Sequence, residues 1–429
     1  MSKKSWVRAL CALAVLGLIA AACGDDDTAT TTTADAPATT AAPAPDPDPE
    51  PAAEPEPAAE PEPAAEPEPA AEPEPAAEPD DEEMAEDSMN LAGVCPDPIV
   101  IQTDWFPESE HGAMYEMMGD DYSPDVDSMV TRGTLLAGGT DTGIDIEIRA
   151  GGPAIGYGSG SAQMYLDTDI TLSYVSMDEA VILRGDTPTL SVVAPLEKNP
   201  QIIQWDPETY PDVQSIADLG AAGIIINVFA GGTFIDVFVS EGVLSEDQID
   251  PSYNGSPIRF IAEDGAIAQQ GFASESPYSY EVVYEEWQKP IAFELIHDAG
   301  LPIYSQTLAI RPDELDQLRP CLEKFVPIVQ QSVLDFAADP ARTNAIIVDI
   351  VERIDSFWEY SPELAEFSVE AQKEYGLIGN GPDSTVGNMD IDRIAEVISK
   401  IAAAGFDVDS SLQPSDIVTN EFIDESIGF

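Results

Sequence analysis

One short stretch of the chain concentrates side chains that could hold a small molecule. It reads DWFPESEHGAMY from position 104 to 115, directly after an apolar run that predicts a strand. A tryptophan at the end of a strand can stack on a planar ring or enclose an apolar group. A histidine and a tyrosine four residues apart can add a titratable donor and a second ring to the same wall. We therefore predict Trp105, His111 and Tyr115 as ligand contacts.

Two of these three residues have a second interpretation. A buried histidine can serve a purely structural hydrogen bond, and His111 fits that role as well as it fits a ligand contact. Tyr115 also fits the inner face of a short helix through Ala113, Met114 and Met117, where it would belong to the core. The sequence leaves both alternatives open.

Four predicted helix starts offer a further set of polar groups. The first turn of a helix leaves backbone N–H groups unpaired, and these groups can face a ligand together with nearby hydroxyls. Each of these residues is a helix cap first and a ligand contact second. The candidates are Ser159, Ser161, Ser176, Asp178, Gly232, Thr233, Ser276 and Tyr278.

Common signatures of catalysis and of metal binding are missing from the sequence. It contains no nucleophile elbow G-x-S-x-G, no H-E-x-x-H and no phosphate-binding G-x-x-x-x-G-K. Glu108, Glu110 and His111 could donate to a metal ion, but a closed site needs three or four convergent ligands and His297 is the only other histidine. We therefore expect no catalytic residue, no metal site and no cofactor.

The first 94 residues predict an export signal followed by a spacer. Residues 1–22 join basic residues to an apolar run too short to span a membrane, which is typical of a secretory signal peptide. The end of this segment resembles a bacterial lipobox, which implies cleavage before Cys23 and diacylation of its thiol; an ordinary signal with an incidental cysteine is the alternative. Residues 23–94 hold four Glu-Pro-Glu-Pro-Ala-Ala repeats and no basic residue, so we expect a disordered tether.

The charge of the chain excludes several classes of partner. With 81 Asp and Glu against 17 Lys and Arg, the formal net charge is −64. Such a charge repels nucleic acid and anionic membrane surfaces. Residues 95–429 alone carry 59 acidic and 14 basic side chains. Because dissolved salt screens this self-repulsion, we expect a domain whose stability rises with salt.

Cys95 and Cys321 are the two cysteines that remain in the exported region. Two thiols in an oxidising compartment commonly pair. We therefore predict a disulfide that ties the start of the folded region to a later helix. Two separate buried thiols are the alternative.

From residue 95 onward the sequence predicts alternating strands and helices. Apolar runs predict strands at 99–103, 144–149, 170–175, 190–194, 224–229, 259–262, 271–273 and 291–296. Apolar stripes at helical spacing run from Leu322 to Phe336 and from Ile346 to Phe357, and capped helices begin at Ser361 and Asp390. This pattern predicts an α/β fold with mixed, mostly parallel sheets and a helical C-terminal segment.

The stretch from Asp104 to Tyr115 resembles the opening D-W-x-P-N-x-x-H-x-G-x-Y of bacterial solute-binding proteins in the thiamine-pyrimidine-precursor and nitrate/sulfonate/taurine group. The chain differs from that motif at Glu108 and Ala113. Other blocks are similar to that group in the same order along the chain: ITLSYVSMDEA at 170–180, GVLSEDQI at 242–249, QQGFASESPY at 269–278, PIYSQTLAIR at 302–311 and NEF at 420–422.

The resemblance implies a two-lobe periplasmic-binding-protein-like fold of type II that closes over its cargo like a hinge. Lobe 1 would comprise 95–200 and 305–429, and lobe 2 would comprise 201–304. Together with the lipobox-like end of the signal, the resemblance implies a protein that is lipid-anchored on the extracytoplasmic face of the cell membrane. It would deliver a small-molecule solute to the permease and ATPase subunits of an ABC importer.

The charged residues near the predicted ligand loop distinguish an anionic solute from a neutral or cationic one. A sulfonate or nitrate would profit from a nearby Arg or Lys, but only Arg149 lies at a strand end close to this loop. We therefore expect a neutral or cationic ring-bearing solute, with a pyrimidine or thiamine precursor favoured. The alternatives are an anion receptor of the nitrate, sulfonate or taurine type and a surface-binding module without a transport role; an enzyme is not expected.

Overall fold

The computed structural model describes residues 89–429, in which strands and helices alternate around two mixed sheets. The predicted α/β class is therefore confirmed. The predicted signal peptide, the lipidation site at Cys23 and the tether up to residue 88 lie outside the described residues. Between residues 89 and 429, no helix is both long enough and apolar enough to cross a membrane.

The strands are β1 (Ile99–Gln102), β2 (Ser123–Asp125), β3 (Val130–Ala137), β4 (Thr140–Arg149), β5 (Leu172–Val175), β6 (Leu190–Val193), β7 (Gln201–Trp205), β8 (Ile226–Asn227), β9 (Ile249–Asp250), β10 (Ala268–Phe272), β11 (Ala292–Leu295) and β12 (Thr307–Ile310). The α-helices are α1 (Gly112–Glu116), α2 (Gly160–Leu166), α3 (Met177–Ile182), α4 (Ile216–Ala222), α5 (Thr233–Ser240), α6 (Ile258–Ala262), α7 (Ser276–Tyr278), α8 (Leu315–Ala338), α9 (Ala341–Ile354), α10 (Pro362–Glu374) and α11 (Ile391–Ala403). Single 3₁₀ turns lie at Ser109–His111, Gly152–Ile155, Glu246–Gln248, Pro312–Glu314 and Pro414–Asp416, and a π-helical turn lies at Ser279–Val283.

The first sheet is built around β1, whose four residues are all buried. Its strand order is β2-β3-β4-β1-β5-β12-β6. Because β1 pairs in parallel with both β4 and β5, the carboxyl ends of these three strands meet at one edge of the sheet. That edge is where the loop after β1 leaves the sheet, which is the usual position for a ligand in such folds.

The second sheet has the strand order β11-β7-β10-β8-β9. Its strands all lie between residues 201 and 295, whereas those of the first sheet lie before residue 194 or at 307–310. Strand β10 occupies the centre, pairing in parallel with β8 and antiparallel with β7. The chain therefore builds one sheet, then the other, and returns to the first.

The predicted dominance of parallel pairing is wrong. Of the ten neighbouring strand pairs within residues 89–429, six are antiparallel. One source is the run of β2, β3 and β4, in which the two-residue turn Gly138-Gly139 between β3 and β4 has positive φ at both positions, 52° and 80°. Two glycines between apolar runs are a known hairpin signal. The other source is the return strands β7 and β12, which run antiparallel to both of their neighbours.

The segment predicted as a strand at 259–262 is instead the helix α6. Pro257 precedes it as the N-cap residue, and the ring of a proline pre-sets φ for a helical start. Phe260 on one face of this turn is buried, while Ile258 on the other is exposed. Four apolar or long residues in a row do not distinguish a strand from a single buried helical turn.

The long C-terminal helices follow the predicted stripes with one exception. The Ser361 hydroxyl accepts a hydrogen bond from the Leu364 N–H, and Asp390 caps α11 in the same way, as their positions predict. Helix α9 ends at Ile354, because Asp355 adopts a left-handed conformation with φ 49°. Phe357, predicted to continue the buried stripe, lies beyond that end and is 66% exposed.

The N-terminal end of the described chain is fastened to the first sheet and to α8. Cys95 and Cys321 form a disulfide with a Cα–Cα distance of 4.7 Å. Leu91 is buried, and its N–H donates to the Thr142 carbonyl at 2.9 Å. Packing against the sheet thus begins a few residues before position 95.

Candidate functional site

A cavity of about 650 Å³ opens between the connections of the two sheets. The loop after β1 supplies Asp104 to Glu110 on one side, and the segment from Phe272 to Tyr284 supplies the other. The connection between α9 and α10 closes a third side with Phe357 to Ser361. Its volume matches that of a small-molecule site. We call this space the aromatic cavity.

Aromatic side chains dominate the wall of this cavity. Trp105 lies edge-on to Trp358, with ring centroids 6.0 Å apart at 84°, and 6.1 Å from Tyr157. Among the connections of the second sheet, Phe229 packs against Tyr253 with ring centroids 4.6 Å apart. The aromatic lining residues are Trp105, Tyr157, Phe229, Tyr253, Phe272, Tyr280, Tyr284, Phe357, Trp358 and Tyr360. Flat apolar faces on several sides suit a ring-bearing ligand.

The segment from Phe357 to Tyr360 is held on the loop after β1 by hydrogen bonds. The Trp358 indole N–H donates to the Pro107 carbonyl at 3.2 Å. The Tyr360 hydroxyl accepts from the Ser109 N–H at 3.0 Å and donates to the Ser109 hydroxyl at 2.9 Å. The two segments therefore form one wall despite their separation in sequence.

The charge of the lining is one-sided. Five carboxylates line the cavity, and no Lys, Arg or His does so among the described residues. The acidic members are Asp104, Glu108, Glu110, Glu275 and Glu359. Arg149, which the sequence places at a strand end close to the loop after β1, does not line the cavity. Its side chain is paired with Glu147 at 2.6 Å and with Asp167 at 2.7 Å. The cavity therefore offers an anion no cationic partner.

Asp104 is held in place by two neighbours and stays open to the cavity. Its Oδ1 lies 2.6 Å from His111 Nε2, and Gln306 Nε2 donates to its Oδ2 at 3.1 Å. The Asp104 side chain is nevertheless 37% exposed. Gln306 also lines the cavity but is only 4% exposed, and its Oε1 has no hydrogen-bond partner.

Burial shifts three carboxyl groups of the lining toward their protonated forms. Desolvation raises the pKa of Glu110 to about 7, although a hydrogen bond from the Ser274 hydroxyl opposes the shift. Desolvation, reinforced by repulsion from Glu110 and Asp104, raises the pKa of Glu108 well above its usual range. Desolvation also raises the pKa of Glu275, which accepts from the Ser276 hydroxyl at 2.9 Å. Such shifts are common where a site must respond to the charge of its ligand.

Two of the predicted contacts, Trp105 and Ser276, line the aromatic cavity. Four others, Ser176, Asp178, Gly232 and Thr233, line a second cavity of about 440 Å³. The two cavities share Gln201, Phe229 and Ala230 in their linings, so they adjoin each other.

The five remaining predicted residues line neither cavity. His111 is fully buried, with its ring centroid 5.0 Å from that of Tyr174, so it reaches the cavity only through Asp104. Tyr115 is buried in the core on the inner face of α1. The positions of His111 and Tyr115 therefore agree with a structural role for each residue, which was the alternative to a ligand contact.

The other three predicted residues, Ser159, Ser161 and Tyr278, are held by hydrogen bonds or ring packing outside both cavities. The Ser159 hydroxyl caps α2 by accepting from the Ala162 N–H at 3.2 Å. The Ser161 hydroxyl is within 3.0 Å of the Thr187 hydroxyl, and the Ser161 N–H donates to Glu179 at 2.8 Å. Tyr278 packs on Phe367 with ring centroids 5.4 Å apart. None of these side chains lines either cavity, because each is engaged by its own surroundings.

Sequence reasoning missed most of the second-sheet wall and the whole third side. The turn Ser279–Val283 is π-helical, which brings Tyr280 and Tyr284 into the same lining. Such turns occur often at functional sites but have no simple sequence signature. The aromatic run FWEY at 357–360 is visible in the sequence, but the apolar spacing of the preceding helix continues into it and conceals the helix end. Gln306 lies within the block PIYSQTLAIR at 302–311, but nothing in that block singles out its side chain as a contact.

Within residues 89–429, no group of three or more His, Cys, Asp and Glu side chains is arranged to hold a metal ion. The carboxylates of the aromatic cavity interact with one another through charge, yet they do not converge on a single point. What the arrangement can do is enclose a ring and present oxygen acceptors to it.

Comparisons with known proteins find likeness at the level of structure. An alkanesulfonate-binding protein from Xanthomonas axonopodis pv. citri, bound to MOPS, has a TM-score of 0.46 at 12% identity, covering 76% of this chain and 99% of that one. The periplasmic nitrate-binding protein of Synechocystis PCC 6803 gives 0.46 at 12% identity, covering 76% and 88%. The ligand-binding component of a Staphylococcus aureus ABC-type import system, with zinc bound, gives 0.46 at 10% identity, covering 75% and 97%.

No family model matches the chain, and no curated protein matches it. At these identities and scores, the ligands of the three solved structures are not carried over to this chain.

Proposed function

We propose that this chain is the extracytoplasmic solute-binding component of an ABC importer. It captures a small ring-bearing organic solute in the aromatic cavity, between a lobe of 95–200 with 305–429 and a lobe of 201–304. The observation that carries the proposal is the aromatic lining, which comes from connections of both sheets. A ligand that touches both linings favours the conformation in which they face each other.

The side chains that line the cavity favour a ring-bearing solute over an anion such as nitrate or a sulfonate. A nitrate or sulfonate bound in this cavity would face five acidic side chains and no cationic side chain of the described residues. Removing an anion from water without a partner is strongly unfavourable. A pyrimidine or thiamine-precursor-like compound instead gains stacking on rings such as Trp105 and hydrogen bonds to acceptors such as Gln306.

The membrane location rests on the first residues of the sequence. The lipobox-like end of the signal supports an anchor at Cys23, and the acidic, proline-rich segment supports a tether that holds the domain away from the membrane. Separate permease and ATPase subunits would complete the importer and receive the solute.

Native mass spectrometry of protein purified without refolding is the first test. The proposal expects a retained small molecule, released on denaturation, or tight binding of a member of a panel of aminopyrimidines, alkanesulfonates and nitrate. Trp105→Ala should weaken binding roughly tenfold by removing a stacking face. Tyr165→Ala is the matched control, because Tyr165 is an exposed aromatic residue outside both cavities. Absence of a retained molecule together with no binding by the panel would overturn the proposal, and tight binding of sulfonates or nitrate alone would replace the cargo class.

A further inference from the structure

We propose that the cargo is an organic monocation with N–H donors, such as an amidinium, a guanidinium or a protonated amino-heterocycle, held by Asp104 and Gln306. This inference rests on the proposed function and names the chemical class of its ligand. It starts from two oxygen acceptors on residues that line the aromatic cavity: the partly exposed carboxylate of Asp104 and the buried, unpartnered amide oxygen of Gln306.

The orientation of the Gln306 amide is fixed by Asp104. Its Nε2 donates to both carboxylate oxygens, at 3.3 Å to Oδ1 and 3.1 Å to Oδ2. The opposite orientation would place the amide oxygen against a carboxylate, with two acceptors facing each other. The oxygen is therefore the atom left over, and it is buried without a partner in a side chain that is 4% exposed.

A buried acceptor without a hydrogen bond destabilises the folded protein. We therefore expect a ligand N–H group to donate to Gln306 Oε1. Asp104 next to it keeps acceptor capacity, because its carboxylate binds only His111 and Gln306 among the described residues and remains partly open. A planar cation with two N–H groups can donate to both residues at once. The positive charge of such a ligand suits a lining that contains five acidic side chains and no basic side chain of the described residues.

The same pair disfavours other ligand classes. A neutral ring leaves the acidic lining uncompensated when the carboxyl groups ionise. A quaternary ammonium binds aromatic faces well but has no N–H, so Gln306 Oε1 stays unpaired. An anion meets only acceptors. We therefore expect Asp104 and Gln306 to discriminate among compounds of similar shape by their charge and their N–H groups.

Isothermal titration calorimetry of the full-length protein with four benzene derivatives measures this discrimination as a difference in affinity. Benzamidine is a planar cation with N–H donors, and benzamide is its neutral counterpart. Phenyltrimethylammonium is a cation without N–H, and benzenesulfonate is an anion. The expected order is benzamidine first, by roughly tenfold or more over each of the others at pH 8.

Two variants locate the effect. Asp104→Asn and Gln306→Leu should each remove most of the preference for benzamidine over benzamide. Their matched controls are Asp298→Asn and Gln331→Leu, because Asp298 and Gln331 lie outside both cavities and their side-chain hydrogen bonds are exposed. If a variant fails to fold, the wild-type ranking decides alone.

Equal or tighter binding of benzamide or benzenesulfonate would overturn the inference, and so would phenyltrimethylammonium binding as tightly as benzamidine. Binding by none of the four would also overturn it, because all share a ring that the cavity accommodates. The proposed function is judged separately by the retained molecule in native mass spectrometry, so a failed charge series leaves a transported solute of another class in place.

Discussion

Ser274 donates a hydrogen bond to Glu110, and this bond joins the segment after β10 of the second sheet to the loop after β1 of the first. Both residues line the aromatic cavity. The bond therefore connects the two sides of the site directly, and it lowers the pKa of the Glu110 carboxyl against the effect of burial.

Ser274→Ala should make binding of a cationic ligand more sensitive to acid. Without the hydroxyl the pKa of Glu110 rises further, so more of this carboxyl is protonated near pH 7 and the cavity is less negative. We expect affinity at pH 7 to fall severalfold, with a smaller loss at pH 9, in titrations across that range. Ser411→Ala, at an exposed turn, is the control. An unchanged pH profile would show that the bond does not tune Glu110.

Glu110→Gln should remove part of the pH dependence of unfolding in the ligand-free protein. Burial raises the pKa of Glu110 from 4.5 to about 7, so between these values the folded state holds a proton that the unfolded state has lost. The free energy of unfolding therefore falls as pH rises from 4.5 to 7, by up to about 3 kcal/mol from this group.

Urea denaturation at pH 5 and pH 7.5 measures that difference in both proteins. The variant should show a shallower decline, and Glu359→Gln, an exposed carboxylate of the same cavity, should decline like the wild type. An identical slope for Glu110→Gln would contradict the buried, protonated state.

Replacing Cys95 and Cys321 together by serine should destabilise the domain. The bond closes a loop with a sequence separation of 226, and its loss frees the unfolded chain. We expect a loss of roughly 2–5 kcal/mol in denaturant unfolding under oxidising conditions. Under reducing conditions wild type and double variant should coincide, and a difference that persists there would point to lost packing instead.

Added salt should stabilise the folded region. With 59 acidic and 14 basic residues in 95–429, repulsion between carboxylates opposes the compact state. The melting temperature should rise as NaCl is increased from 10 mM to 1 M, because the Debye length shrinks from roughly 30 Å to 3 Å. A melting temperature that is flat or falling would contradict this reading of the charge.

The loop after β1 could be located from sequence because it carries a dense motif directly after an apolar run. Trp105 lines the cavity, whereas His111 does not, because its ring is buried and bonded to Asp104. The motif identifies the position of the loop along the chain. It does not determine which of its side chains turn toward solvent and which turn toward the core.

The third side of the cavity could not be predicted, because the apolar spacing of α9 continues through Phe357 in the sequence. The helix stops at Asp355, whose left-handed conformation releases the aromatic run toward the loop after β1. Gln306 and Asp104 are separated by 202 positions, and only the return of β12 to the first sheet brings them together. Contacts of this kind depend on strand order, which local pattern does not contain.

A crystal structure of the protein purified with its retained cargo would show where the solute binds and which atoms it contacts. We expect a ring-bearing molecule in the aromatic cavity, stacked near Trp105, with a nitrogen donor within hydrogen-bond distance of Gln306 Oε1 and Asp104. A sulfonate or nitrate group at that position, or a cargo bound elsewhere with the aromatic cavity empty, would contradict it.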